Sequence, residues 1–315
     1  MMIDSFQGPR RVRRAAAGLA LWLCGALGVE AAAVDIESLW DYADPAASEQ
    51  RFRDALATAS AEQQLELQTQ IARTLSLRRR FDEAHRLLDT LEPRAASTPA
   101  VQVRFWLERG RSFNSAGQRL PARVLFEQAF AQAQAARLDA LAVDAAHMVA
   151  ITHAGSPPAL DWNRRGIELA RASSDPQARR LVPAMLNNSA WDLHEMGRPA
   201  EALPLFEQAL AEWTARGKVQ QVMIAEWSVA RCLRSLGRHP EALARQQALL
   251  AAHRLAGSSD GHVNEEIAEN LLALGRADEA RPQFAMAARL LGQDEGLAQA
   301  EPQRLARLRR LGGPD

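Results

Sequence analysis

Residues 196–210 read MGRPAEALPLFEQAL, residues 236–250 LGRHPEALARQQALL and residues 274–288 LGRADEARPQFAMAA. In each stretch a turn glycine, Gly197, Gly237 or Gly275, is followed five places later by an alanine, Ala202, Ala242 or Ala280. The glycine marks the turn, and the apolar residues beyond it recur with helical spacing. One helical hairpin cannot bury its own apolar face, so repetition on this scale implies hairpins stacked on neighbours.

Working outward, three more turn residues fall in register, Arg79, Gly117 and Gly155, and the six are separated by 38, 38, 42, 40 and 38 residues. Four places before each turn stands a large apolar residue: Leu75, Phe113, Ile151, Leu193, Leu233 or Leu271. Seven places before stand Ala72, Gly110, Met148, Ala190, Ala230 and Ala268, mostly of the size that lets helices cross closely. In the second helix Ala84, Ala122, Ala202, Ala242 and Ala280 lie five places after the turn. Phe126, Phe206 and Phe284 lie nine after it, and Leu91, Ala129, Ala209, Leu249 and Ala287 twelve after it. Steps of four and three put them on one packing stripe. The third unit, ITHAGSPPALDWNRRGIELA, needs a one-residue shift to align Ala159 and Gly166.

Over residues 60–291 this pattern resembles the tetratricopeptide repeat, although the unit is longer than that family's usual length of about 34. The resemblance implies an all-α chain, a right-handed α-solenoid of about six antiparallel hairpins with terminal capping helices. The organisation expected is a signal segment (1–33), an N-terminal cap (34–60), the array (61–291) and a C-terminal cap and tail (292–315). Pro93, Pro99, Asp175-Pro176 and Gly257 to Gly261 supply the linker breakers. Ser48 is expected to cap a helix through Phe52 and Leu56. Pro302 is expected to open a last helix with Leu305, Leu308 and Leu311 on one face, crowded by Arg304, Arg307, Arg309 and Arg310.

Apolar residues make up 47% of the 315 and aromatics 5%, so the core must come from alanine and leucine packed helix on helix. Basic and acidic residues balance at 38 each, which argues against a nucleic-acid partner or an anionic membrane surface. Lys218 is the only lysine; the remaining basic residues are guanidinium groups, suited to bidentate carboxylate contacts. Arg10, Arg11, Arg13 and Arg14, the apolar run Ala15 to Val29 and Ala31-Ala32-Ala33 read as an export signal, too short for a stable span. Leu23 before Cys24 does not fit lipid attachment. If translation instead starts near Val34 the protein is cytoplasmic. Beyond the signal Cys232 stands alone, and its place in a buried helix reads as an inert thiol.

Residues ten, six and three places before each turn share a first-helix face that lines the concave groove of the proteins this chain resembles. Here that face carries Arg73, Arg111, Asn114, Asn187, Trp191, His194, Trp227, Arg231 and Arg234, followed by Glu265 and Glu269. Arginine, asparagine and two indoles suit an extended, carboxylate-bearing peptide; in the competing reading Trp227 is partly core and Arg231 and Arg234 pair with Glu265 and Glu269. His262, Glu265, Glu266 and Glu269 have ligand-like spacing but match no complete zinc motif, and their acids suit a helix start without metal. His85, His147, His153, His239 and His253 read as solvated surface histidines, and no nucleophile motif, phosphate loop or dinucleotide fingerprint is present. The expected function is therefore a non-enzymatic scaffold that holds a protein or peptide segment without a cofactor. A sensor of a small effector or signalling peptide is the alternative, and a metal-dependent enzyme the third reading.

Overall fold

The computed structural model describes residues 34–313; the export reading of residues 1–33, with Cys24, lies outside them. After a 3-10 turn, Ile36–Leu39, comes α1 (Pro45–Ala55), then six hairpins. These are α2 (Ala61–Leu77) with α3 (Phe81–Ala95), α4 (Pro99–Ser115) with α5 (Arg119–Ala135), and α6 (Asp139–Thr152) with α7 (Pro157–Ala172). Then follow α8 (Val182–Glu195) with α9 (Pro199–Ala215), α10 (Val219–Ser235) with α11 (His239–Leu255), and α12 (Gly261–Ala273) with α13 (Ala277–Leu291). Two short helices, α14 (Glu295–Ala300) and α15 (Pro302–Gly312), close the chain. Among the described residues there is no strand, and no helix is long and apolar enough to cross a membrane.

All six turn residues lie in the left-handed region, Arg79 at φ 60° and the five glycines between 74° and 83°. In five hairpins the turn is closed from behind: the amide after the turn residue donates to the carbonyl four places before it, as Arg198 does to Leu193 and Arg238 to Leu233, at 2.9 and 3.0 Å. The packing stripe then falls where the repeat puts it. Ala84, Ala122, Ala202, Ala242 and Ala280 are buried, and Phe126, Phe206 and Phe284 are fully so. Burying each ring contributes about 1.5–3 kcal/mol. Small residues on the first helix make room for it: a Cβ on Gly110 would stand 2.5 Å from Phe126 Cε1.

The third hairpin departs from this. Here α6 ends three residues before its glycine rather than two, and the Gly155 amide donates to Asp192 Oδ1 of α8, at 2.6 Å, in place of a backbone carbonyl. The whole unit is offset by one position. Ala150, one place before the expected Ile151, is buried, as is Val149, while Met148 and Ile151 themselves are only half-buried. Ala159 and Gly166 occupy the small positions, Gly166 so close to α8 that a Cβ would lie 2.2 Å from Met185 Cε.

In that register the residue equivalent to Phe126 is Asn163. In the fifth hairpin it is Gln246, and in the first Leu88. Both amides are buried, and neither has a hydrogen bond on its oxygen or its nitrogen.

Two local expectations are corrected. Asp44, not Ser48, caps α1, accepting from the Ala47 amide, while Ser48 is buried inside the helix against the Asp41 backbone. Pro93 sits within α3 rather than in a linker. Two of the arginines that crowd α15 reach back to α12: Arg304 pairs with Glu265 at 2.5 Å and Arg307 with Glu269.

Candidate binding groove

On the first three hairpins the first-helix face is a chain of ion pairs. Arg111 Nη1 donates to Glu108 Oε1 at 2.7 Å, and its Nη2 reaches both Asp144 oxygens at 2.5 and 2.6 Å. Burial works against the Arg111 charge, but Asp144 and Glu108 outweigh it and raise its pKa. Burial would also raise the Asp144 carboxyl, yet Arg111 holds it below its ordinary value. Arg73 stands 3.9 Å from the same Glu108 carboxylate. Beyond Asp144 comes His147, half-buried and in contact with Asn188 of α8 at 3.1 Å; burial pushes its pKa down to about 4.

The chain itself covers this region. Trp40 and Tyr42 stack 4.7 Å apart, and the Arg73 guanidinium lies over both rings at 5.2 and 5.3 Å. Trp40 Nε1 donates to Gln70 of α2, and Glu37 pairs with Arg180 of the α7–α8 linker, across a polar cavity of about 250 Å³ lined by α2, α4 and α6. A residue near the start of the chain meets one after the third hairpin, which requires this face to curve inward.

On the last three hairpins the same face is aromatic. Trp191 and Trp227 lie 5.9 Å apart between centroids, Trp227 and His262 6.1 Å, and Trp191 is braced edge-on by Phe206 at 5.0 Å. Trp227 Nε1 is buried without an acceptor. Its ring borders a mainly apolar cavity of about 430 Å³, with Met223, Ile224, Leu249, His253 and His262 around it. Ile224 is 56% exposed there.

The polar residues of this half are tied to one another. His194 Nε2 meets Ser235 Oγ at 2.8 Å, Arg231 donates to that hydroxyl at 2.6 Å, and Arg231 and Arg234 converge on Glu266 at 3.2 and 2.7 Å. The partner of the two arginines is therefore Glu266, not Glu265 and Glu269, which α15 has taken. Trp227 is half-buried, part packing and part lining, as the competing reading had it. Asn114 and Asn187 are half-buried on α4 and α8.

Sequence reasoning missed Glu108, Asp144, Trp40, Tyr42 and Asp192. Glu108 stands three residues before Arg111, a spacing that signals a helical pair; Asp144 was hidden by the offset of its hairpin. Nothing local ties Trp40 or Tyr42 to Arg73. The histidines are more engaged than expected: His85 packs on Phe113 and contacts Ser112, and His239 contacts Asn270. Burial pushes the Cys232 thiol up to about 11, and it donates to the Pro199 carbonyl. Among the described residues no group of three or more His, Cys, Asp or Glu side chains is placed to hold a metal; in the His262 cluster each acid faces an arginine.

No curated protein matches the sequence. Among solved structures the chain is similar to NprR in complex with its cognate peptide NprX: 16% identity, 87% of this chain, 80% of that one, TM-score 0.54. It is also similar to the apo form of the quorum sensor NprR from B. thuringiensis, with 16% identity, 83% and 74% coverage and TM-score 0.62. A third likeness is to a STAND protein with a tetratricopeptide repeat sensor from Pyrococcus horikoshii, with 15% identity over 85% of this chain and 42% of that one, TM-score 0.66. At such identities the likeness speaks for the fold. The family model for the tetratricopeptide repeat matches residues 181–255, the fourth and fifth hairpins. With its helical hairpins stacked in series, the chain is an α-solenoid whose fourth and fifth hairpins match the tetratricopeptide repeat.

Proposed function

We propose that this protein is a non-enzymatic peptide-binding module whose ligand lies in extended form along the first-helix face of the last three hairpins, anchored by a bulky apolar side chain beside Trp227. The observation that carries the reading is the aromatic run Trp191–Trp227–His262 beside an open apolar cavity, with an indole N–H that has no acceptor. Such a site offers rigid apolar surface and one directional donor, which suits a side chain followed by a backbone carbonyl. The likeness to NprR held with its cognate peptide supports a peptide over a small effector. The carboxylate-bearing ligand expected from the arginines has weaker support, since Arg73, Arg111, Arg231 and Arg234 already face Glu108, Asp144 or Glu266. Residues 1–33 are proposed as an export signal, which would place the ligand outside the cytoplasm.

Panning a displayed library of random nonapeptides on the purified chain, then measuring the enriched peptides by fluorescence anisotropy, tests the reading. Trp227→Ala and Trp191→Ala should each weaken binding by about tenfold or more, as interface aromatics do. Enriched peptides whose affinity ignores both substitutions would move the site off this face.

A further inference from the structure

The irregular third hairpin and α8 border a second, chemically different cavity. Its register places Asn163 where other units carry Phe126, Phe206 and Phe284. The smaller side chain leaves a cavity of about 210 Å³ between α6, α7 and α8, bordered by Ile151, Asn188, Trp191, Asp192 and Glu195. Asn163 is 1% exposed, and neither its Oδ1 nor its Nδ2 is hydrogen-bonded. An amide buried in that state destabilises the fold, a cost that a ligand with matching groups would remove.

The cavity is also acidic. Asp192 is 6% exposed, and its one hydrogen bond is from the Gly155 amide. Glu195 stands beside the same glycine, 3.2 Å from where a Cβ of residue 155 would be. Among the described residues neither carboxylate has an arginine or lysine within ion-pair distance. Elsewhere on this face the buried and half-buried acids do: Glu108 and Asp144 hold Arg111, Glu266 holds Arg234, and Glu265 holds Arg304. Burial, opposed by the Gly155 hydrogen bond and reinforced by Glu195, raises the Asp192 carboxyl, as expected of an acid without its counter-ion.

We infer that this cavity is a cation subsite that takes the guanidinium side chain of an arginine in the bound peptide. A guanidinium is planar, donates five N–H groups and accepts none. It would satisfy the free oxygen of Asp192, Glu195 and Asn163 Oδ1 together, beside the Trp191 ring. Asn163 Nδ2 is then left for a carbonyl, which the backbone around that arginine carries. The inference rests on the peptide reading for the source of the arginine, but the subsite itself can be tested without a peptide.

The probe is Nα-acetyl-arginine amide, titrated into the full chain labelled with 15N at tryptophan, with Nα-acetyl-citrulline amide as the neutral counterpart. The arginine compound should shift the Trp191 indole signal saturably, and the citrulline compound should leave it in place at the same concentrations. Asp192→Asn keeps an oxygen for the Gly155 amide but removes the charge; with Glu195→Gln it should weaken the response about tenfold or more. Asn163→Leu, carrying the residue the first hairpin has at Leu88, should abolish the response and raise the melting temperature. Equal responses to arginine and citrulline, or a response untouched by the acid substitutions, would overturn the subsite, as would a cavity holding water alone and answering neither probe. Arginine binding with no peptide captured would keep the subsite and remove the groove reading. Peptide capture with no arginine response would do the reverse.

Discussion

The first three hairpins and the last three present the same helix face by the same repeat, yet the two halves use it differently. In the first half the arginines are spent inside the protein: Arg111 is clamped between Glu108 and Asp144, and Arg73 lies under Trp40 and Tyr42. In the last half the indoles border open space, with one N–H unpaired. A solenoid face is thus not a uniform groove. Residue type alone does not say whether a position is free to bind; the neighbour one hairpin away decides it.

The largest expected effect tests that contrast. Arg111→Leu leaves half-buried Asp144 without its arginine and buried Glu108 with only Arg73 at 3.9 Å, and should cost about 3–5 kcal/mol in urea unfolding. Arg231→Leu in the other half should cost much less, because Arg234 still holds Glu266 through two hydrogen bonds. Equal losses would mean that the two halves are locked alike. A repeat array can lose cooperativity, so both variants are best compared by probes in each half, such as Trp106 and Trp227 fluorescence.

The hairpins were legible because turn and packing positions answer to local rules. A turn residue at φ near 75° and an alanine at a helix crossing recur wherever the backbone recurs. Arg79 could be placed among five glycines for that reason. The candidate groove was legible only as a set of positions. That Glu266 rather than Glu265 takes Arg231 and Arg234 depends on which acids α15 claims, and α15 lies about forty residues further on. The covering of Arg73 by Trp40 and Tyr42 likewise joins segments with no shared periodicity. Asn163 was nearest to being found: the one-residue shift that aligns Ala159 and Gly166 also puts Asn163 on the phenylalanine position, a polar residue where the repeat asks for a ring.

Gln246 sharpens the same contrast with a smaller effect. It shares the ring position with Asn163 and is 0% exposed with both amide atoms unpaired, but it lines neither of the two cavities of this face, whereas Asn163 lines one. Where an unpaired amide serves no ligand, replacing it with an apolar side chain should stabilise. Gln246→Leu is expected to gain about 1–3 kcal/mol, read as a higher melting temperature, and to leave peptide binding intact. A lower melting temperature would show that Gln246 is satisfied in solution and that the fifth hairpin hides a polar contact of its own.

The smallest effect concerns the most visible residues of the repeat. The arginine after the turn and the glutamate three places further on form a two-pronged pair in both halves: Arg80 with Glu83, Arg198 with Glu201, Arg238 with Glu241 and Arg276 with Glu279, all at 2.6 to 2.8 Å. Each pair lowers its glutamate and raises its arginine mainly through those hydrogen bonds. All of them are open to solvent, where water screens the attraction and holding two long side chains in one geometry opposes it. The buried contacts that set the two halves apart are absent at these positions. Arg80→Ala and Arg238→Ala should therefore leave the melting temperature unchanged within error, alike in both halves. A clear loss at one and not the other would place part of the difference between the halves in the turns.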